Sequence, residues 1–145
     1  SNVSKLRKRP LFRWSFLYII NMRIKLFEEF SNQELDSLGY EIRSRCIWLE
    51  DEGFDIEVAK VKESLHPVLR IKISKGEPFD VLDIDVYVKT IADYLRRNYE
   101  DVKINYVIDN KVYDPILYGY FTISKDTTCK SLFYMRCKLG KLKNT

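Results

Sequence analysis

The sequence predicts an α+β fold, a two-layer sandwich in which two helices cover one face of a mostly antiparallel sheet. Three observations predict it. Two stretches carry apolar residues at helical spacing behind N-terminal capping signals. Six stretches alternate apolar and polar residues, the pattern of a strand with one buried face. The composition, 46% hydrophobic and 32% charged over 145 residues, is that of one globular domain.

The elements follow in order. Trp14, Phe16, Tyr18, Ile20, Met22, Ile24 and Leu26 alternate with Arg13, Ser15, Asn21, Arg23 and Lys25, a long first strand over 13–26. Phe30-Ser31-Asn32-Gln33-Glu34-Leu35 then has the order of a capping box inside a hydrophobic staple. Leu35, Leu38, Ile42, Cys46 and Leu49 continue one apolar face, so a helix is predicted near 31–51, with Gly53 as its left-handed terminator. Phe54, Ile56 and Val58 alternate as a second strand, and Leu69, Ile71 and Ile73 as a third, with a turn at Leu65-His66-Pro67.

The stretch GEPFDVLDIDVYVK, residues 76–89, packs its carboxylates close together and raises the question of a metal site. Gly76 and Pro78 break the preceding strand, Asp80 stands where an N-cap belongs, and Asp83 lies three residues on. Ile84, Val88, Ile91, Leu95 and Tyr99 form an apolar stripe, predicting a helix near 80–99. At about 100° per residue, Asp85 points away from Asp80 and Asp83 and toward Lys89 instead. The carboxylates read as a helix front. Strands at 102–108, 117–123 and 133–139 complete the chain, with Asp109-Asn110-Lys111 starting a turn. The order is β-α-β-β-α-β-β-β. Its first six elements are those of a ferredoxin-like core, here with extra C-terminal strands. Helix-strand-strand also recurs at a period of about 49 residues, with slight identity between the halves.

Charge is distributed unevenly about a net +4. Residues 1–26 hold seven bases and no acid, residues 27–66 eleven acids against four bases, and residues 102–145 eight bases against three acids. The predicted organisation is a basic arm at 1–10, one α+β domain at 11–139 and a basic tail at 140–145. Two basic ends around an acidic middle point to an anionic partner, or to a second copy of the chain.

No P-loop, GxGxxG, HExxH, GxSxG or paired CxxC is present. Cys46, Cys129 and Cys137 are scattered, and His66 is the lone histidine, so neither a zinc site nor a Cys-His nucleophile is predicted. The sparse, odd cysteine count fits a reducing, cytoplasmic compartment. The longest apolar run, Phe16–Ile20, is too short for a transmembrane span or a signal segment. No cofactor and no enzymatic activity are predicted.

The functional expectation is a binding module for an anionic partner, nucleic acid first and an anionic membrane surface second. The arm KLRKRP supplies Lys5, Arg7, Lys8 and Arg9, a run that also suits an import receptor and nuclear entry. The sheet face turned away from the helices would carry Arg23, Lys25, Arg70, Lys72, Lys103, Tyr118, Tyr120, Tyr134, Arg136 and Lys138, with Asp55 and Glu57 as its acids. Aromatic rings that stack bases, beside cations that meet phosphate, are what single-stranded RNA binding requires. The RNP1 signature is absent, since VLRIKIS lacks the aromatic. The alternatives are a self-assembling structural protein of viral matrix type and a metal-dependent nuclease using Glu77, Asp80, Asp83 and Lys89.

Overall fold

The computed structural model describes residues 27–63, 66–113 and 127–143. The predicted first strand, 13–26, and the strand predicted at 117–123 lie outside the described residues. Within them the chain is a mixed α+β structure. Helices α1 (Asn32–Ser44) and α2 (Ile47–Asp51) lead into strands β1 (Phe54–Glu63) and β2 (His66–Lys75). The short β3 (Phe79–Asp80) and a 3₁₀ turn (Val81–Ile84) lead into α3 (Asp85–Asn98). Then follow β4 (Lys103–Ile108), β5 (Lys111–Tyr113), β6 (Thr128–Cys129) and β7 (Phe133–Lys138).

Helix α1 begins where the capping box predicts. The Ser31 hydroxyl accepts from the Glu34 amide at 3.2 Å and donates to the Glu34 carboxylate at 3.3 Å. The single helix predicted over 31–51 is two helices, however. In a continuous helix the Glu41 carbonyl would accept the Arg45 amide. Here that carbonyl accepts the Ser44 hydroxyl and the Arg45 guanidinium, each at 2.8 Å. The Arg45 amide turns to the Ile42 carbonyl, a tighter i→i−3 bond, and the helix breaks. Gly53, at φ +92°, ends α2 in the left-handed region as expected.

Asp80 stands at the N-cap position of the 3₁₀ turn only, and the helix predicted to start there begins at Asp85. Asp80 lies in β3, pairs across to Thr128, and makes no capping hydrogen bond. Its carboxylate accepts the Thr128 hydroxyl at 3.3 Å, and the Val81 amide is satisfied by the Thr127 carbonyl. A distant strand has taken the place of the local cap. Phe79 and Ile84 are nonetheless buried, and the Asp85–Lys89 pair forms at 2.8 Å.

The main sheet has the order β1-β2-β7-β4-β5, with every neighbouring pair antiparallel. The ferredoxin-like order is not reproduced among these strands. That core requires the first strand beside the third, yet β2 is paired on one edge by β1 and on the other by β7. Two hairpins, β1-β2 and β4-β5, therefore flank the last strand. Asp109 (φ +49°) and Asn110 (φ +71°) make the second hairpin's two-residue turn, with the positive φ at both positions that a type I′ turn needs. Pro67 sits inside β2, opposite Lys62, but beyond the stretch that β7 pairs, so its missing N–H costs no ladder bond on that edge.

One row crosses all five strands on the inner face: Val58, Ile71, Met135, Tyr106 and Tyr113. The inner face and the helical residues Leu38, Ile42, Leu49, Val88, Ile91 and Leu95 belong to one core. The helix faces are those the apolar periodicity predicts. Arg45, stacked 3.9 Å from the Tyr94 ring, ties α1 to α3. The residues after β7 run back beside the end of α3. Lys143 donates through its amide to the Asn98 carbonyl and through Nζ to the Arg96 carbonyl, both at 2.8 Å, placing a cation at the negative end of the helix.

Ser31→Ala should destabilise the domain by about 1 kcal/mol, the usual cost of a lost serine cap. Chemical denaturation measures it, and an unchanged midpoint would show that the cap contributes nothing.

Candidate nucleic-acid interface

The alternation that buries one face of each strand turns the other face outward. Strand register then fixes which outward residues are neighbours. One row reads Glu57, Lys72, Tyr134, Val107 and Val112 across β1, β2, β7, β4 and β5. The next reads Ala59, Arg70, Arg136 and Asn105. In the third, Lys103 lies opposite Lys138. The fold thus gathers Arg70, Lys72, Lys103, Tyr134, Arg136 and Lys138 onto three adjacent strands.

Like charges face each other twice, Arg70 across from Arg136 and Lys103 across from Lys138, and the exposed lysine pair is the arrangement that costs stability. The Arg70 guanidinium lies over the Tyr134 ring, 4.1 Å from its centroid, so the cation is held against an aromatic face. Lys103 and Lys138 are exposed, whereas Arg70, Lys72, Tyr134 and Arg136 are half-buried. The face is not solvated throughout: Val107 (4% exposed) and Val68 (1%) lie on it and are buried. The face is thus partly covered and partly open.

Ala59 is the small residue in this surface. Between Glu57 and Val61 on its own strand, and Arg70 and Lys72 across from it, its missing bulk leaves a hollow of about 170 Å³. Among the described residues, neither the Glu57 nor the Lys72 side chain has an ion-pair or hydrogen-bond partner, although the two are register neighbours. A carboxylate and two cations thus rim one hollow.

The loop that feeds β7 is fixed by a carboxylate. Asp109 accepts the amides of Lys130 (2.8 Å), Ser131 (2.8 Å) and Leu132 (3.0 Å), and the Ser131 hydroxyl at 2.9 Å. The Lys130 amide does most to hold the Asp109 carboxyl well below the usual range. Partial burial opposes this, and the remaining donors from Leu132 and Ser131 reinforce it. Three successive N–H groups make an anion nest, filled here by the protein's own side chain.

No family model, curated protein or solved structure matches this chain. The site is read from its chemistry alone.

Lys5, Arg7, Lys8, Arg9, Arg23, Lys25, Tyr118 and Tyr120 lie outside the described residues. The three thiols are free and buried. Burial above all raises Cys46 to about 11, Cys129 to about 11 and Cys137 to about 12. Among the described residues no three His, Cys, Asp or Glu side chains converge to hold a metal ion. Among them, too, no helix is long and apolar enough to cross a membrane. The hollow over Ala59 and the Asp109 nest were missed by the sequence reading. The first depends on strand register. The second joins residues more than 20 apart, although Asp109 was recognised as a turn former.

Asp109→Asn should cost about 1.5 kcal/mol, the low end for bonds to a charged group, because the site is partly open to water. Asparagine tolerates the left-handed backbone, so the substitution removes the charge and one of the two acceptor oxygens without straining the turn. With its folded pKa depressed, the carboxylate's contribution is full above its unfolded value of about 3.9 and fades as pH falls below it. Denaturation midpoints of the two proteins should therefore converge on acidification from about pH 6 to about pH 2.5. A gap independent of pH would show that the carboxylate charge is not what holds the loop.

Proposed function

We propose that the protein is a non-enzymatic module that binds single-stranded nucleic acid through the outward sheet face, assisted by the basic arm. One observation carries the reading: Arg70 stacked on Tyr134, with Arg136 and Lys72 as their register neighbours. A phosphate would meet the cations, and a base would stack with the Tyr134 ring. Repulsion between the exposed Lys103 and Lys138 is relieved when an anion binds between them, so binding recovers energy that the free sheet gives up.

A second reading is self-assembly of matrix type, in which the acidic middle of one copy meets a basic end of the next. Tyr40 (70% exposed), Ile47 (56%) and Trp48 (67%) favour it, since they stand near exposed Glu41, Glu50, Asp51 and Glu52. Light scattering at low and high salt, with and without RNA, separates the two. Assembly that forms without RNA and dissolves in salt supports the second reading.

Fluorescence anisotropy with a labelled single strand tests the first. Tyr134→Ala should weaken binding by about 1–3 kcal/mol, the range for loss of one stacking platform. Lys138→Glu is the complementary variant. Opposite Lys103 it replaces repulsion by attraction, so stability should rise by roughly 0.2–1 kcal/mol while affinity falls and the salt slope flattens. Unchanged affinity in both variants would remove this face from consideration.

Truncating residues 3–9 should likewise flatten the dependence of log affinity on log salt, because four bases are lost without removing any described core residue. An unchanged slope would exclude the arm from the interface.

A further inference from the structure

We infer that the hollow over Ala59 is a ribose subsite and that Glu57 makes the interface select RNA over DNA. The inference deepens the proposed function and rests on it. Three features of the hollow point to a sugar-phosphate rather than to a bare phosphate. It is concave, about 170 Å³, and floored by the one small residue of its row, so it admits a ring and not only an oxyanion. Arg70 and Lys72 rim it on the β2 side, where an anionic phosphate would lie. Glu57 rims it on the β1 side and is an acceptor without a donor among the described residues.

A carboxylate at a phosphate site is unfavourable unless something donates to it. A phosphodiester group on its own has nothing to donate and would be repelled. A ribose 2′-hydroxyl can donate to Glu57 while its own phosphate meets Arg70 and Lys72 across the hollow. Deoxyribose lacks that hydroxyl and would leave the carboxylate facing the polymer's charge with no hydrogen bond in return. The 2′-hydroxyl is the group by which a protein distinguishes the two polymers at a given site. Register makes the arrangement specific, because Glu57 faces Lys72 and Ala59 faces Arg70, so acceptor, floor and cations hold fixed places on two paired strands.

The test compares oligouridylate with oligodeoxyuridylate of equal length, which differ only at the sugar. The intact protein should bind the RNA roughly tenfold more tightly, the equivalent of one hydrogen bond to a charged acceptor. Glu57→Ala should abolish the preference, mainly by improving DNA binding as the repelling charge goes. Glu57 is exposed on an outer strand of the described sheet, so the variant should fold, and circular dichroism verifies this. Ala59→Leu, which fills the hollow and keeps the charge, should also lower the preference. Equal binding of both polymers by the intact protein, or a preference that survives Glu57→Ala, would overturn this inference alone. Failure to bind either polymer would overturn the nucleic-acid reading beneath it.

Discussion

Pairing along both edges of β7 is the constraint on which the rest of the sheet depends. The hairpins β1-β2 and β4-β5 are local, each pairing two strands that lie two residues apart in the sequence. β7, near the C-terminus, joins them by pairing with β2 on one side and β4 on the other. Closing those contacts means ordering long loops first, an entropic cost that slows folding more than it lowers final stability. The Asp109 nest spans that junction in the folded chain. It anchors residues 130–132 to the turn of the second hairpin, so β7 starts in register beside β4. Phe133, Met135 and Cys137 then complete the inner face, and Tyr134, Arg136 and Lys138 are delivered to the outer one.

The outer face carries its strain in a definite place. Lysine opposite lysine, Lys103 against Lys138 on central strands, opposes the pairing that the backbone enforces. A sequence selected for stability alone would alternate signs there, as it does where Glu57 faces Lys72. Local choices that conflict with the fold tend to gather where a protein meets something else. The apolar inner face, by contrast, shows no such conflict: its residues keep the period of two along β2, β4 and β7.

Periodic and local features were legible in the sequence. Alternation at Leu69, Ile71 and Ile73 and helical spacing at Val88, Ile91 and Leu95 assigned the buried faces, because burial follows the geometry of the element itself. The Ser31 box was legible because its donor and acceptor lie three residues apart. Asp80 carries a similar pattern and behaves otherwise, because Thr127–Cys129 competes for the same backbone from far along the chain. The break after Ser44 was hidden for another reason: two side chains capture the Glu41 carbonyl, which no apolar spacing records. Strand order was illegible altogether, since nothing local says that 133–138 separates two hairpins. Of the candidate interface, the residue types and their phase could be read. Their neighbours across the sheet, the hollow over Ala59 and the burial of Val68 and Val107 could not.

The three cysteines make the chain its own reporter of motion. Cys46 sits at the break between α1 and α2, Cys129 in the short β6 beside the Asp109 nest, and Cys137 in the middle strand of the sheet. All are free and buried, and their raised pKa values leave almost no thiolate near neutral pH. An alkylating reagent can therefore reach each one only during an opening event. The rate at each position then measures how often that part of the molecule opens. Labelling kinetics would rank helix junction, loop and sheet centre by local stability, with no substitution made and no probe attached beforehand.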